Sequence, residues 1–255
     1  MIYYFSGTGN SRRVAQWMGK YLNDSIQPIL SLKKSSLSHD KRDYIGFVFP
    51  VYAWGLPVVV EKFLNKIPVT VFSPYSYIYF VLTCGDDIGR TDELIRNICK
   101  NKGITSPAIF SIRMRNTYVC LPGFDIDPIL TENQKENDAK VKVKEIASRI
   151  LLKDSTSNSD ITPGDFPWIK SYILRPLFNR FLIKDKLFHV DTTRCIHCRI
   201  CENICPLNNI TMDKNKFPEW NGKCTHCLAC FHSCPQHAIN YGKYTRSKGQ
   251  VKINF

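Results

Sequence analysis

Eight of the eleven cysteines in this 255-residue chain fall in two copies of one spacing, C-x2-C-x2-C-x3-C-P. A cubane iron–sulfur cluster needs four soft thiolates that converge on one site, and each such cluster passes one electron at a time. The spacing therefore predicts cluster ligation and electron chemistry. The first copy contains Cys195, Cys198, Cys201 and Cys205, and the second contains Cys224, Cys227, Cys230 and Cys234.

This doubled spacing resembles that of bacterial ferredoxins with two [4Fe-4S] clusters, in which the last cysteine of each run ligates the other cube. The segments RCIHCRICENICPLNNI and KCTHCLACFHSCPQHAI also align position by position, as an internal repeat. The resemblance implies one cluster on Cys195, Cys198, Cys201 and Cys234, and a second on Cys205, Cys224, Cys227 and Cys230.

Zinc is the alternative metal, because paired CxxC motifs also bind tetrahedral zinc. Two complete runs of four cysteines are far more specific for iron–sulfur clusters than for zinc. His197 and His226 each precede the second cysteine of a run. Since four thiolates are already available to each cluster, we expect these histidines to be surface groups or groups that tune the cluster potential.

A second candidate site opens the chain, where a short apolar strand leads into a helix. Glycines between them allow close backbone approach, and hydroxyl and amide groups at a helix N-terminus suit a phosphate. The loop matches neither the dinucleotide fingerprint nor the P-loop. Its residues are Ser6, Gly7, Thr8, Gly9, Asn10 and Ser11.

Two further loops follow predicted strands and would reach the same edge of a parallel sheet. The first, Pro50 to Pro57, includes Tyr52, Ala53, Trp54 and Gly55. The second includes Thr83, Cys84, Gly85 and Asp86.

The elements that must position these loops alternate between strand and helix. Near-continuous apolar strands separated by helices indicate a parallel sheet covered on both faces. We predict strands at residues 2–5, 26–32, 44–52, 75–83 and 108–114, and helices at 11–22, 56–67, 91–100 and 133–152. Residues 35–43 show little apolar periodicity, so a helix between the second and third strands is expected to be short or absent.

The three loops together resemble the flavin site of flavodoxins. SGTGNS is similar to their FMN-phosphate loop, and the other two loops are similar to those that contact the isoalloxazine ring. The resemblance implies an α/β, flavodoxin-like, doubly wound five-stranded parallel sheet of order 2-1-3-4-5, followed by a small α+β ferredoxin domain of the bacterial two-cluster type.

Nearly the whole chain resembles the fused flavodoxin–ferredoxin proteins of anaerobic bacteria and archaea. That resemblance implies FMN and two [4Fe-4S] clusters as cofactors. It places the FMN phosphate at the first loop, the isoalloxazine ring beside Tyr52 and Trp54, and backbone groups of Gly85 and Asp86 at the ring edge. It divides the chain into an FMN-binding domain (1–153), a linker and docking segment (154–187) and a ferredoxin domain with its tail (188–255).

Two segments leave alternatives open. The long connection from Arg115 to Pro128 is expected to bring Tyr118 near the flavin ring; the rival is that it docks the cluster domain. In the segment from Trp168 to Phe188, aromatic and basic residues interleave around Pro176. We expect it to pack the two domains together, with a position on a membrane surface as the alternative.

Composition favours a cytoplasmic electron carrier. The net charge of +13 would attract an acidic partner such as a ferredoxin or flavodoxin, and no nucleic-acid motif accompanies it. No run reaches the roughly 18 apolar residues of a transmembrane helix. The first residues form no signal peptide, and clustered cysteines are typical of metal ligation in a reducing compartment.

Three functions fit these features. The leading hypothesis is a carrier or adaptor that passes electrons between the clusters and FMN, from a ferredoxin-like donor to an acceptor. The alternative is an FMN-dependent reductase of a small acceptor (a quinone, a nitro compound or a disulfide) fed by ferredoxin. A redox or iron sensor is a minor alternative, because the basic charge alone supports it.

Overall fold

The computed structural model describes residues 1–32, 43–72, 76–154 and 159–253. Its main feature is a parallel sheet whose strand order, β2-β1-β3-β4-β5-β6, contains the predicted order. The strands are β1 (Ile2–Tyr4), β2 (Ile26–Pro28), β3 (Tyr44–Pro50), β4 (Tyr77–Cys84), β5 (Ala108–Arg113) and β6 (Ser159–Asp160). The five-stranded prediction is confirmed, and the linker adds the two-residue β6 beside β5.

Four helices cover the sheet on both faces, and they are α1 (Asn10–Leu22), α2 (Val58–Lys66), α3 (Thr91–Lys100) and α4 (Ile129–Leu151). One core packs α2 and α3 against aromatic side chains such as Phe47 and Phe80. The opposite core packs α1 and α4 against Val48 and Tyr79. Neighbouring residues of β3 are thus buried on opposite faces, which is why this strand is apolar throughout.

Single 3-10 turns at Ile29–Ser31, Val69–Val71 and Asp185–Leu187 complete the connections. The second strand is shorter than predicted, because the chain turns after Pro28. The expectation of a short or absent helix between the second and third strands falls on residues 33–42, outside those described. Tyr75, the predicted start of the fourth strand, also lies outside them.

The segment after the sheet is helical. A π-helical turn (Ile169–Leu174) runs directly into α5 (Arg175–Phe181), with Pro176 in its first turn. Proline has no amide and collides with the carbonyl four residues earlier in a regular helix. The wider π turn accommodates that collision, so Pro176 leaves the segment continuous.

The cysteine-rich domain is a small α+β unit. It contains β7 (Phe188–Val190) paired with β10 (Ile239–Tyr241), β8 (Ile210–Met212) paired with β9 (Pro218–Trp220), α6 (Ile200–Ile204) and α7 (Ala229–Ser233). Its backbone repeats itself: His197 and His226 share φ 56°, and Arg199 and Leu228 have φ 60° and 62°. The internal repeat of the sequence is thus a repeat of conformation.

The two domains share a core. Val119 and Cys120, from the long connection after β5, are fully buried among apolar residues of the cysteine-rich domain. The connection therefore docks this domain, as one of the two alternatives predicted. Within the described part of the chain, no helix is long and apolar enough to span a bilayer.

Candidate functional site

The carboxyl ends of the central strands border a cavity of about 720 Å³. This volume lies in the usual range for cofactor and ligand pockets. The predicted cofactor-binding residues that line the cavity are Ser6, Gly7, Thr8, Asn10, Ser11, Tyr52, Ala53, Trp54, Thr83, Cys84, Gly85, Asp86 and Tyr118. The other two, Gly9 and Gly55, do not line the cavity. Gly9 caps α1, and Gly55 closes the turn that contains Ala53 and Trp54.

The first loop presents a helix N-terminus to the cavity. Gly9 caps α1 with φ 97°, a conformation that favours glycine, and no side chain caps the helix. The Gly9 amide instead donates to the Ser6 hydroxyl at 3.1 Å. Amides of the first turn and the positive end of the helix dipole therefore face the cavity and suit an anion such as phosphate.

Polar side chains fix this loop against neighbouring strands. The hydroxyls of Ser11 and Thr83 lie 2.8 Å apart and are buried. Asn10 donates from its side-chain amide to the Arg115 carbonyl oxygen at 2.9 Å. These contacts join three strand ends into one wall.

The second loop is a tight two-residue turn. Tyr52 and Gly55 exchange backbone hydrogen bonds of 2.9 and 3.2 Å, and the two residues between them, Ala53 and Trp54, have φ of 45° and 57°. Positive φ in consecutive non-glycine residues is a strained arrangement that often marks a functional loop. At Gly55, a side chain would overlap the guanidinium of Arg175.

The third loop, residues 83–86, contributes backbone groups and the unreactive thiol of Cys84 to the cavity wall. Burial raises the pKa of Cys84 to about 12, and its thiol donates to the Ile112 carbonyl oxygen at 3.8 Å. A Cβ on Gly85 would overlap the Asn116 side chain. Asp86 is 73% exposed, and its carboxylate lies 3.7 Å from Lys135, so this side chain faces mostly water.

The Tyr118 side chain lies on the wall of the large cavity, between Phe124 and Phe178, with ring centroids 5.7 Å from each. Its hydroxyl is buried without a hydrogen-bond partner among the described residues. Burial raises the pKa of this phenol, which keeps it protonated and able to donate.

Sequence reasoning missed two parts of the wall. The helical segment contributes apolar side chains and Lys170, whose ammonium lies 5.7 Å from the centre of the Trp54 ring. The cysteine-rich domain contributes His226, Cys227 and Leu228. The interleaved aromatic residues of the helical segment could have indicated its place in the wall. No local pattern indicated that the cysteine-rich domain lines the cavity.

The helical segment is bound tightly to the loops that it covers. The Ser171 hydroxyl donates to the Trp54 carbonyl oxygen at 2.8 Å, and Lys170 pairs with Asp87 at 2.6 Å. The buried guanidinium of Arg175 donates to the Leu56 carbonyl oxygen at 3.1 Å and to Glu61 at 2.9 Å. The segment is therefore a fixed roof over one side of the cavity.

Two smaller cavities gather the cysteines in the sets implied by the sequence. One is lined by Cys195, Cys198, Cys201 and Cys234, and the other by Cys205, Cys224, Cys227 and Cys230. No described cysteine forms a disulfide. We call these the distal and the proximal cluster cavity, respectively, since Cys227 of the second also lines the large cavity.

Backbone amides point at three of these sulfurs. Asn209 donates to the Cys205 sulfur and Ala238 to the Cys234 sulfur, each at 3.3 Å and each from four residues later. His226 donates to the Cys224 sulfur, also at 3.3 Å. Amides aimed at thiolate sulfur stabilise its negative charge and tune the potential of a bound cluster.

Among the described residues, no three His, Cys, Asp or Glu side chains converge closely enough to hold a single metal ion. In a cubane each iron takes one thiolate, so the four sulfurs surround the cluster from separate sides. Burial raises the pKa of Cys201 to about 11 and of Cys224 and Cys227 to about 12. These groups are thiols without a cluster and must release protons to bind one.

Two known families match separate regions of the chain. A family model for a flavodoxin domain matches residues 1–112, and one for a 4Fe-4S dicluster domain matches residues 194–239. The chain thus contains a region that matches a flavodoxin domain and, after it, a region that matches a 4Fe-4S dicluster domain. This pair is consistent with a fused flavodoxin/ferredoxin family, and it supports a flavin and iron–sulfur electron-transfer role with FMN and iron–sulfur clusters as cofactors.

Solved structures match between 58% and 59% of this chain. They include a flavodoxin from the domain Archaea (14% identity, 59% of this chain and 96% of that chain, TM-score 0.36). A flavodoxin of Streptococcus pneumoniae TIGR4 has 14% identity, 58% and 97% coverage, and a TM-score of 0.37. The Trp repressor binding protein of Bacillus subtilis has 15% identity, 59% and 97% coverage, and a TM-score of 0.36. No curated protein matches the chain.

The residues of the flavodoxin domain fit FMN. The uncapped N-terminus of α1 suits its phosphate, and the Tyr118 hydroxyl, which has no hydrogen-bond partner among the described residues, leaves one donor on the cavity wall. Apolar and aromatic side chains line the remaining volume, as an isoalloxazine ring requires.

Two residues of the shared wall, Cys227 and Leu228, separate the large cavity from the proximal cluster cavity. Both residues belong to the dicluster domain and line both cavities. A Cβ on Gly7 would overlap that of Cys227, so the loop at residues 6–11 packs directly against the loop that contains Cys227. The short gap between the cavities is the geometric condition for electron transfer between their occupants.

The two buried histidines of the dicluster domain serve its packing. His226, only 4% exposed, donates to the Lys184 carbonyl oxygen at 3.2 Å, so of the two expectations for it, a surface position is wrong. His232 donates to the Thr117 carbonyl oxygen at 2.8 Å, and its other nitrogen accepts from the Val251 amide. Burial lowers the pKa of His232 to about 4, which keeps it neutral at the domain junction.

Proposed function

We propose that this chain is an electron-transfer flavoprotein that passes electrons between two [4Fe-4S] clusters and FMN, as a carrier or adaptor between a ferredoxin-like donor and an acceptor. The observation that carries the proposal is the wall shared by the large cavity and the proximal cluster cavity at Cys227. When bound, FMN supplies a site that holds one or two electrons, next to clusters that each pass one.

The chain's own residues would fix the geometry. The proposed ligands are the residues of the three loops with Tyr118 for FMN, and the two sets of four cysteines for the clusters. The roof residues Ser171 and Arg175 hold the Trp54 loop in place through their hydrogen bonds to its backbone. The Cys227 loop holds the proximal cluster against the Gly7 loop.

The distal cluster is the proposed entry for electrons from a partner protein. Cys198 is exposed, and Ile196 beside it is 57% exposed. Arg199 and Lys216 also line this cavity, and the whole chain carries a net charge of +13. An acidic carrier such as a ferredoxin or flavodoxin complements this charge. We place the protein in the cytoplasm, because clustered cysteines that form no disulfides are typical of metal ligation in a reducing compartment.

One observation favours a second function, an FMN-dependent reductase of a small acceptor. Leu174, Leu177 and Phe181 line the cavity and are between 41% and 58% exposed. The cavity therefore opens to the surface through an apolar mouth, which suits an apolar acceptor such as a quinone better than a nitro compound or a charged disulfide.

Anaerobically prepared holoprotein tests both functions. We expect about eight irons and about one FMN per chain. Reduced ferredoxin should then reduce the bound FMN within a single turnover. Steady consumption of a quinone would favour the reductase over the carrier. Bound FMN that ferredoxin-reduced clusters never reduce would overturn the proposal.

The Tyr118 hydroxyl gives a sharper test of the flavin site. We expect Tyr118→Phe to weaken FMN binding about fivefold, because it removes one buried donor while the ring remains. The matched control is Tyr172→Phe, which removes the hydrogen bond to Glu93 outside the cavity. Fluorescence titration of apoprotein with FMN measures both. Equal affinities in the two variants would remove Tyr118 from the site.

A further inference from the structure

The roof segment, residues 166–187, has an unusually apolar outer face. Ile169, Ile173, Leu177 and Phe181 follow one another at helical spacing, and each is between 42% and 58% exposed. Beside this stripe lie other large exposed side chains, namely Phe166 (73%), Trp168 (57%) and Tyr172 (38%). Proteins rarely expose so many large apolar groups together without a binding partner.

Basic side chains border this apolar face. Lys184 and Lys186 are exposed just after it, and Arg180 lies 5.5 Å from the centre of the Phe181 ring. Asp185 accepts hydrogen bonds from Asn209 and Gly222, Asp165 is exposed at the start of the segment, and Glu93 accepts from the Tyr172 hydroxyl. The excess of positive charge therefore lies at the C-terminal end of the face, at Arg180, Lys184 and Lys186.

We propose that the roof segment, residues 166–187, binds the surface of an anionic membrane, with its apolar face in the interface and its basic border at the lipid headgroups. Tryptophan and tyrosine prefer this interface, and apolar side chains beside lysine and arginine are typical of segments that lie in it. The net charge of +13 adds long-range attraction to an anionic surface and opposes pairing with a second copy of the chain.

The apolar face of the roof segment lies at the mouth of the large cavity. Leu177 and Phe181 belong both to the exposed stripe and to the cavity wall. A membrane at this face would cover the cavity mouth. An apolar acceptor dissolved in the lipid would then reach the cavity without crossing water. Membrane binding itself requires no electron transfer, so it can hold or fail independently of the proposed function.

Flotation of the full holoprotein with vesicles tests the proposal. We expect at least about tenfold more protein on vesicles of phosphatidylcholine with phosphatidylglycerol than on phosphatidylcholine alone, and a decrease at high salt. Ile173→Glu should abolish most of this binding, because it places a charge in the apolar stripe. Its matched control is Val141→Glu, at an exposed valine of α4, and this variant should bind normally.

Two lysine variants test whether vesicles bind the basic residues beside the apolar face or respond only to the net positive charge of the protein. Lys186→Glu should weaken vesicle binding several-fold, whereas Lys144→Glu on α4, with the same net charge, should not. Flavin and iron contents of all four variants should match those of the native protein. Equal binding by Ile173→Glu and Val141→Glu, or by the two lysine variants, would overturn the proposal. So would a dimer in solution that Ile173→Glu dissociates, since the face would then be an interface between copies.

Discussion

Replacing Cys227 by alanine should disconnect the flavin from the clusters while leaving FMN bound. The thiolate of Cys227 is one of four around the proximal cluster cavity, so the variant should hold about four irons per chain instead of about eight. Cys227 also lines the large cavity. Electrons from the distal cluster must then cross the whole proximal site, and we expect their exchange with FMN to slow by at least about tenfold.

Cys198→Ala is the informative comparison, because it removes a ligand of the distal cavity and leaves the shared wall intact. Both variants should lose similar amounts of iron. Flash photoreduction followed by optical detection of flavin and clusters would measure their exchange. We expect fast exchange in Cys198→Ala and slow exchange in Cys227→Ala. Fast exchange in both would mean that the shared wall is not the electron path.

Gly7→Ala should weaken FMN binding and destabilise the domain junction together. The added Cβ would overlap the Cβ of Cys227 and lie 2.9 Å from the Tyr52 hydroxyl. Because Cys227 and Tyr52 are fixed by packing between the two domains, the loop at residues 6–11 must move to make room for the Cβ. Overpacking of this kind costs about 1–3 kcal/mol of unfolding free energy. Displacing the loop from the N-terminus of α1 should weaken FMN binding by at least about tenfold.

Gly103→Ala controls for the loss of a glycine. Its added Cβ would have no neighbour within 4 Å, although its φ of +74° carries the usual strain of a left-handed position. Thermal unfolding of holoprotein and FMN titration of apoprotein would measure both variants. An FMN affinity of Gly7→Ala equal to that of Gly103→Ala would mean that the contact with the cluster loop does not position the flavin site.

These two variants concern the same contact from its two sides. Gly7 belongs to the flavodoxin domain and Cys227 to the dicluster domain. The His232 bond to Thr117 and the burial of Val119 and Cys120 hold the domains in register. The connection after β5 docks the cluster domain through these residues, and Tyr118 lines the large cavity; its position beside the flavin ring stays a prediction.

Local spacing was sufficient for the elements and most candidate ligands. The spacing within each cysteine run determines where its thiolates point, because the run forms a short loop followed by a helix. The apolar strands, buried on both faces, likewise imply a covered parallel sheet, and parallel strands bring the loops at 6–11, 52–55 and 83–86 to one edge. That is why 13 of the 15 predicted cofactor-binding residues line the cavity, while the sheet order followed from the resemblance to flavodoxins.

The tertiary structure decided what closes the site. Gly55 is a backbone position that admits Arg175, and the wall contains Cys227, Leu228 and the roof side chains, which no motif predicted. Such contacts join residues far apart in the chain, and they depend on how whole elements pack. Sequence alone determined which cofactors the two domains can hold; packing of the domains determined that the two sites share one wall.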